Sequence, residues 1–457
     1  MSNPTVGESP DHWEFTTLGE VCDRGGGSIQ TGPFGSQLHA SDYVDEGIPS
    51  IMPVNIGDNR LIETDIKRIT EEDAERLSKH LVVPGDIIYS RRGDVERRAL
   101  VREEQRGWFC GTGCIKVRLG EGVVDPAFAS FYLDHPNVRQ WIVQHAVGAT
   151  MPNLNTSIMK AIPFVLPPPE EQRAIASILG SLDDKIELNR RMNATLESLA
   201  RAIFKSWFVD FDPVKINAGQ MPADGHDPTI LNLFPSTFQD SGIPEGWVST
   251  TLGDEVDFQT GNAFKSKSFT NEPPGTRLAR GMNVKEGVFF WGNQTRYWPE
   301  VTDDIEPYLL RAGDVLIGMD GSKVGKNWVR VREVDLPCLL VQRVARLRAA
   351  DSVGENFLWI LCGSETFRRY VDSVKTGTSI PHISGGQIKS LSFVRPPKGD
   401  DRVFHEFENI VSAFANQHDK NASESVSLSL LRDTLLPRLL SGERPVPDSL
   451  LPIEQVV

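Results

Sequence analysis

The chain repeats itself, and that constrains its fold more than any single motif does. Trp13-x3-Thr17-Leu18-Gly19-Glu20 returns as Trp247-x3-Thr251-Leu252-Gly253-Asp254, and Pro84-Gly85-Asp86-Ile87-Ile88 returns as Ala312-Gly313-Asp314-Val315-Leu316. Gly148-Ala149-Thr150-Met151-Pro152 is echoed by Gly377-Thr378-Ser379-Ile380-Pro381, and Pro167-Pro168 by Pro396-Pro397. Four anchors in one order, each displaced by about 230 residues, make a tandem of two similar halves. In each half, short β-like runs alternate with Gly-rich turns, and a helical segment follows at Phe128–His145 or Glu355–Val374.

Each half then closes with a long helix. Pro167-Pro168-Pro169 stops the preceding segment, and Glu170-Glu171 suits the positive end of a helix dipole. Heptad counting places Ile175, Leu182, Asn189, Leu196 and Ile203 on one seam. The second helix is expected over about Val403–Leu436, ending at Pro437, with Phe407, Phe414, Asn421, Leu428 and Leu435 on its seam. A single Asn in an apolar seam fixes register at some cost in stability. Asn189 and Asn421 each stand third of five, so an antiparallel coiled coil could bring them together. At 1.5 Å per residue, forty residues give a rod of roughly 60 Å.

The expected fold is α+β. Two similar mixed α/β domains are separated by two long antiparallel helices forming a coiled coil, with internal pseudo-two-fold symmetry. The expected segments are an N-terminal tail (1–12), a first domain (13–166), a first long helix (167–211) and a connector (212–246). A second domain (247–395), a second long helix (396–442) and a C-terminal tail (443–457) follow. The connector, rich in Pro, Gly, Asp and Asn, reads as irregular chain lying over the surface.

Composition narrows the function. No apolar run approaches the length of a membrane span and no signal-peptide pattern follows Met1, so a soluble, cytoplasmic protein without membrane contact is expected. The formal charge of −14 argues against a uniformly basic coat, but binding to nucleic acid depends on the local field of a surface. Cys110 and Cys114 have no second pair, which makes zinc a poor fit and buried thiols the default. Asn271-Glu272-Pro273-Pro274-Gly275 is not a methyltransferase motif. Ser322–Lys326 is an incomplete phosphate loop, and Asp86 with Glu96-Arg97-Arg98 lacks the lysine of a nuclease cluster. No catalytic residue and no metal site is expected.

Three segments of the first half suit DNA instead. The turn Ser90-Arg91-Arg92-Gly93-Asp94-Val95-Glu96-Arg97-Arg98 concentrates four arginines, which bond guanine edges or clamp phosphates. Its counterpart carries Asp320, Ser322, Lys323 and Lys326, as different base reading would require. The Gly/Ser/Thr-rich stretch with Gln30, Thr31, Ser36 and Gln37 suits phosphates and adenine, and its counterpart adds Lys265 and Lys267. The third segment holds Asn153 and Asn155, aligned with His382 and Ser384.

These strings resemble the specificity subunit of a type I restriction-modification system. The match is carried by Thr31-Gly32-Pro33-Phe34-Gly35-Ser36-Gln37-Leu38, by Gly85-Asp86-Ile87-Ile88-x2-Arg91-Arg92-Gly93, and by Leu166-Pro167-Pro168-Pro169-x-Glu171-Gln172. It continues through Trp207-Phe208-Val209-Asp210-Phe211 and Leu430-Leu431-Arg432-Asp433-Thr434-Leu435-Leu436-Pro437. The resemblance implies a non-catalytic subunit whose two target recognition domains each read half of an asymmetric, bipartite double-stranded DNA site. It implies helices that set the spacer and dock two methyltransferase (modification) subunits, to which restriction subunits, the ATP-dependent translocase and nuclease, are added. It also implies no cofactor in this chain, with S-adenosylmethionine, ATP and Mg used by the partners. Two departures stand out: Pro396-Pro397-Lys398-Gly399-Asp400-Asp401 lacks the Glu-Gln pair, and Thr260-Gly261-Asn262-Ala263-Phe264 replaces the Gly-Pro-Phe-Gly-Ser run. The residues also leave open an enzyme whose site is unread, or an adaptor whose heads bind proteins.

Overall fold

A strand such as Cys114–Gly120 shows how the fold is built. Its residues alternate, so Ile115, Val117 and Leu119 enter one apolar core while Lys116 and Arg118 face the other way. Lys116 Nζ donates to the carbonyls of Lys79 (2.7 Å) and Leu81 (3.0 Å), and Arg118 grips Asp86 at 2.7 and 2.8 Å. In the second half Val344–Ala349 does the same: Ala345 and Leu347 are buried in the core, and Arg348 grips Asp314 at 2.6 and 2.8 Å.

The computed structural model describes residues 10–148, 150–292, 294–377 and 379–447. Most of the expected N-terminal tail (1–9) and of the expected C-terminal tail (448–457) lies outside the described residues, as does the side chain of Ser36. Two compact units divide the chain: one runs to Ile186 and resumes at Val426, and the other is Glu187–Ser425. Each unit thus takes part of both long helices, a division the sequence-based segments do not anticipate.

In the first unit a four-stranded antiparallel sheet has the order Gly26–Thr31, Cys114–Gly120, Ile87–Ser90, Arg98–Leu100. A second sheet combines Tyr43–Val44, Lys67–Ile69, Ile48–Ile51 and Phe109–Cys110, the last two parallel. Glu14–Thr17 pairs with Pro163–Leu166. The second unit repeats this plan. Val256–Thr260, Val344–Ala349, Val315–Gly318 and Trp328–Arg330 form the four-stranded sheet, and Val248–Thr251 pairs with Ser392–Arg395. The repeated Thr-Leu-Gly has one explanation in both units. Leu18 and Leu252 are buried, and a Cβ on Gly19 or Gly253 would come within 2.9 or 2.8 Å of the Lys160 or Lys389 side chain.

The expected single helices are each split. Pro136 begins a new helix after Pro126–Tyr132, giving Pro136–His145, and Gly363-Ser364 separates Glu355–Cys362 from Glu365–Val374. The connector is not merely irregular surface chain. It contains the helices Asp212–Asn217 and Pro228–Leu231, and Val214 and Phe234 are buried in the core of the second unit.

The first long helix spans Pro169–Phe208. Gln172 is buried at its start, accepting from the Asp125 N–H (2.8 Å) and donating to the Pro167 carbonyl (2.7 Å), while Glu171 accepts from Trp13 Nε1 (3.0 Å). The Glu-Gln pair is therefore engaged inside its own unit. In the second unit Arg395, fully buried, bonds Glu255 (2.5 Å) and Asp401 (2.6 Å) in the corresponding place. The second long helix spans Arg402–Leu440 and does not end at Pro437. Leu436, Leu439 and Leu440 are buried in the first unit's core, and that burial carries the helix through the proline.

Within each unit the two helices run antiparallel. In the second, Asn189 Nδ2 donates to the Asn421 carbonyl (3.3 Å) and to Glu424 (2.8 Å), and Asn421 Nδ2 donates to Asn193 Oδ1 (2.9 Å). Phe208 stacks on Phe404 at 5.4 Å between ring centres, and both Phe204 and Phe208 meet the Phe407 ring edge to face. In the first unit Asp183 accepts from Arg432 Nη1 (2.7 Å). The seam differs from the heptad expectation. Ile175, Asn189, Phe407 and Asn421 are buried, but Leu182, Leu196, Ile203, Phe414, Leu428 and Leu435 are less so. Asp183, Ala200, Phe204, Ala415, His418 and Ala422 take the interior places, and the two polar ones are held by partners, Asp183 by Arg432 and His418 by Glu197 and Asp419.

Candidate nucleic-acid interface

The strand register gathers the three suspected segments. Ser90 is opposite Cys114, and Thr31 is opposite Ile115, so the first unit's central strands and edge strand finish at one end of the sheet. From that end emerge the Gly32–Gln37 loop, the arginine turn and the Gly111–Gly113 loop. Gly32 N donates to the Cys114 carbonyl at 2.9 Å, and Arg91 N donates to the Gly113 carbonyl at 2.8 Å. The Val147–Asn153 hairpin joins them: Gly93 N donates to the Pro152 carbonyl (3.0 Å), and Leu154 N donates to the Arg91 carbonyl (2.9 Å).

The second unit builds the same backbone. Gly318 is opposite Val344 and Thr260 opposite Ala345, with Gly261 N on the Val344 carbonyl at 3.0 Å. Gly321 N donates to the Pro381 carbonyl (2.9 Å), and Ile383 N donates to the Met319 carbonyl (2.9 Å). Asp320 bridges to His382 as Arg92 bridges to Asn153.

On these frames the side chains differ. Arg92 is exposed and Arg91 half-buried, its Nε donating to the Leu154 carbonyl at 3.3 Å. Asn153 is half-buried, and its Oδ1 has no hydrogen-bond partner among the described residues. Gln30, Thr31 and Gln37 are half-buried on the neighbouring strand and turn. In the second unit Ser322, Lys323, His382, Lys265 and Lys267 are exposed, and Lys326 is half-buried. Asp320 pairs with Arg343 at 3.3 Å, a cation that sequence reading missed although it immediately precedes the strand Val344–Ala349.

Four of the suspected residues have structural work instead. Arg98 is buried, donating to the Ser130 carbonyl (2.7 Å) and to Asp134 (2.8 Å), so it cannot reach a duplex. Ser90 is buried and donates to the Arg92 carbonyl at 3.0 Å. Arg97 is drawn back onto the Ile56 carbonyl. Asn155 caps the helix Thr156–Lys160, accepting from the Ile158 N–H at 2.8 Å. The suspected carboxylates are engaged too, Asp86 by Arg118 and Glu96 by Arg139 (2.8 Å). Among the described residues no three His, Cys, Asp or Glu side chains are placed to hold a metal ion, and no helix is long and apolar enough to cross a membrane. The five cysteines are free and buried, and burial raises the Cys110 and Cys338 thiols to about 12.

Residues 10–198 match the family model described as the type I restriction modification DNA specificity domain. The MjaIX specificity subunit of Methanocaldococcus jannaschii is 24% identical over 447 residues, covering 96% of this chain and 95% of the relative. The HindI specificity subunit of Haemophilus influenzae is 23% identical over 441 residues, covering 86% and 94%. The EcoAI specificity subunit of Escherichia coli is 34% identical over 175 residues, 37% of this chain and 29% of the relative. The crystal structure of a type I restriction-modification S subunit from M. genitalium has the same fold, with a TM-score of 0.50 at 17% identity and coverage of 96% and 99%. Residues 10–198 thus carry the type I restriction modification DNA specificity domain, and over nearly its whole length the chain is similar to specificity subunits of type I restriction-modification systems.

Proposed function

We propose that this chain selects the DNA site for a type I restriction-modification complex, each sheet end reading one half of an asymmetric, interrupted target. The observation that carries this reading is the pair of surfaces with one backbone and two sets of side chains. Shared hydrogen bonds hold the frames alike, while Arg92 and Asn153 in one stand where Asp320 and His382 do in the other. Phosphate contacts can be common to both halves, but base contacts must differ if the half-sites do.

The long helices set the gap between half-sites and dock two modification subunits, with restriction subunits joining them. A helix of forty residues is about 60 Å long, enough for half-sites one DNA turn, about 34–36 Å, apart. The chain performs no chemistry alone: S-adenosylmethionine, ATP and Mg serve the partner subunits, and the assembly works in the cytoplasm. Mapping methylated adenines in cells carrying this chain with its modification subunits tests the reading. An interrupted asymmetric motif that disappears with the chain supports it. Methyl transfer or cutting by the purified chain alone, or no binding to any DNA by the assembled complex, overturns it.

A further inference from the structure

Resting on that reading, one feature of the sheet ends has no part in hydrogen-bonded base readout. The hairpin Val147–Asn153 closes through Val147 N on the Asn153 carbonyl (2.9 Å), and its counterpart closes through Thr376 N on the His382 carbonyl (2.9 Å). Gly148 and Gly377 both have positive φ, and a Cβ on either would approach the Met151 or Ile380 carbonyl to 2.5 Å. The strand that follows each tip is fastened to the basic turn beside it, Pro152 to Gly93 and Pro381 to Gly321. At the tips Met151 is 59% exposed and Ile380 67% exposed. A lone apolar side chain on a surface needs no explanation. Two at the same place in two diverged copies do.

The neighbours of these side chains change in character between the copies, Arg92 to Asp320 and Asn153 to His382, while the tip stays large, apolar and in water. Side chains that read bases should vary with the half-site. A side chain that keeps its class serves something both half-sites need whatever their sequence, and deforming the duplex is such a need. The occupant is double-stranded DNA because the tips continue surfaces that also present Arg92 in one unit and Lys323 in the other. Apolar wedges of Met or Ile slip between base steps and unstack them, and the strand that follows each tip is bonded to the neighbouring turn, Pro152 to Gly93 and Pro381 to Gly321. We propose that Met151 and Ile380 are wedges that each press between two stacked base pairs of the half-site their unit covers.

The test uses the complex with its modification subunits and duplexes bearing the mapped target, with 2-aminopurine placed at successive positions of each half-site. A rise in fluorescence on binding is expected at one step per half-site. Met151→Ala should abolish it in one half only, Ile380→Ala in the other, and Met151→Leu should keep it. No rise at any step, or a rise that survives both alanine variants, overturns the proposal. So does an effect of Met151→Ala reproduced by removing a thymine methyl, which makes the tip a base reader, or loss of subunit assembly before DNA is added, which makes it a protein contact. Failure of the wild-type complex to prefer its target would instead overturn the DNA-reading function, a result separable from sound binding without unstacking.

Discussion

Arg92 and Arg98 stand six positions apart and have opposite duties. Arg92 is exposed at the turn, whereas Arg98 lies in the interior with its charge held by Asp134. Replacing Arg91 and Arg92 by Ala should weaken target binding by the assembled complex by about 1–3 kcal/mol if either bonds a base, read by titration at fixed salt. Unchanged affinity and sequence preference would remove both from the interface. Arg98→Ala leaves Asp134 with the more distant Arg139 (3.9 Å) and should cost about 3 kcal/mol of the first unit's stability, measured by denaturant unfolding. Charge alone could not separate the two arginines in the sequence. Only the fold separates them, since Arg98 opens the strand Arg98–Leu100 and meets the helix bearing Ser130.

The paired helices show where counting apolar residues fails as a guide to elements. Heptads placed the two asparagines on the seam, but they passed over Asp183 and His418, whose buried positions are set by partners far along the chain. His418 lies 3.4 Å from both Glu197 and Asp419, with Arg330 bonded to Asp419 at 2.5 Å on the other side. Burial opposes charge on His418, but its hydrogen bonds to Asp419 and Glu197 outweigh burial and raise its pKa. The folded state therefore binds this proton more tightly than the unfolded chain. The resulting stability is complete below the ordinary histidine value of about 6.5 and fades as pH rises through the folded value. His418→Gln should thus cost more stability below that value than well above it, as urea unfolding at both ends of the range would show; a constant difference would remove the proton from the account. At the other pairing, Asp183→Ala leaves Arg432 with two exposed carboxylates, Asp58 (3.3 Å) and Asp433 (3.0 Å), in place of a buried one. Because those two still partner the guanidinium, the first unit should lose about 1–3 kcal/mol, again read by denaturant unfolding. The strings that form the candidate interface were legible one by one. Their convergence was not, because it follows from a strand order in which the edge strand Gly26–Thr31 pairs with Cys114–Gly120, a partner far away in sequence.

For the whole molecule, the duplication was plain in four short anchors, and the units built on them repeat the sheet order and the glycines. What the anchors could not reveal is that each unit borrows a stretch of both long helices. Inserting one heptad in the first helix, matched in the second, should change the gap the complex requires between half-sites, and an unchanged gap in a methylation map would end the spacer role. The bonds that fasten each hairpin to its turn run from peptide group to peptide group, Gly93 to Pro152 and Gly321 to Pro381. Side chains on that frame can therefore be exchanged by mutation with little loss of foldedness. If the proposed function holds, a lineage can move to a new DNA target by exchanging those side chains, without first evolving a new scaffold.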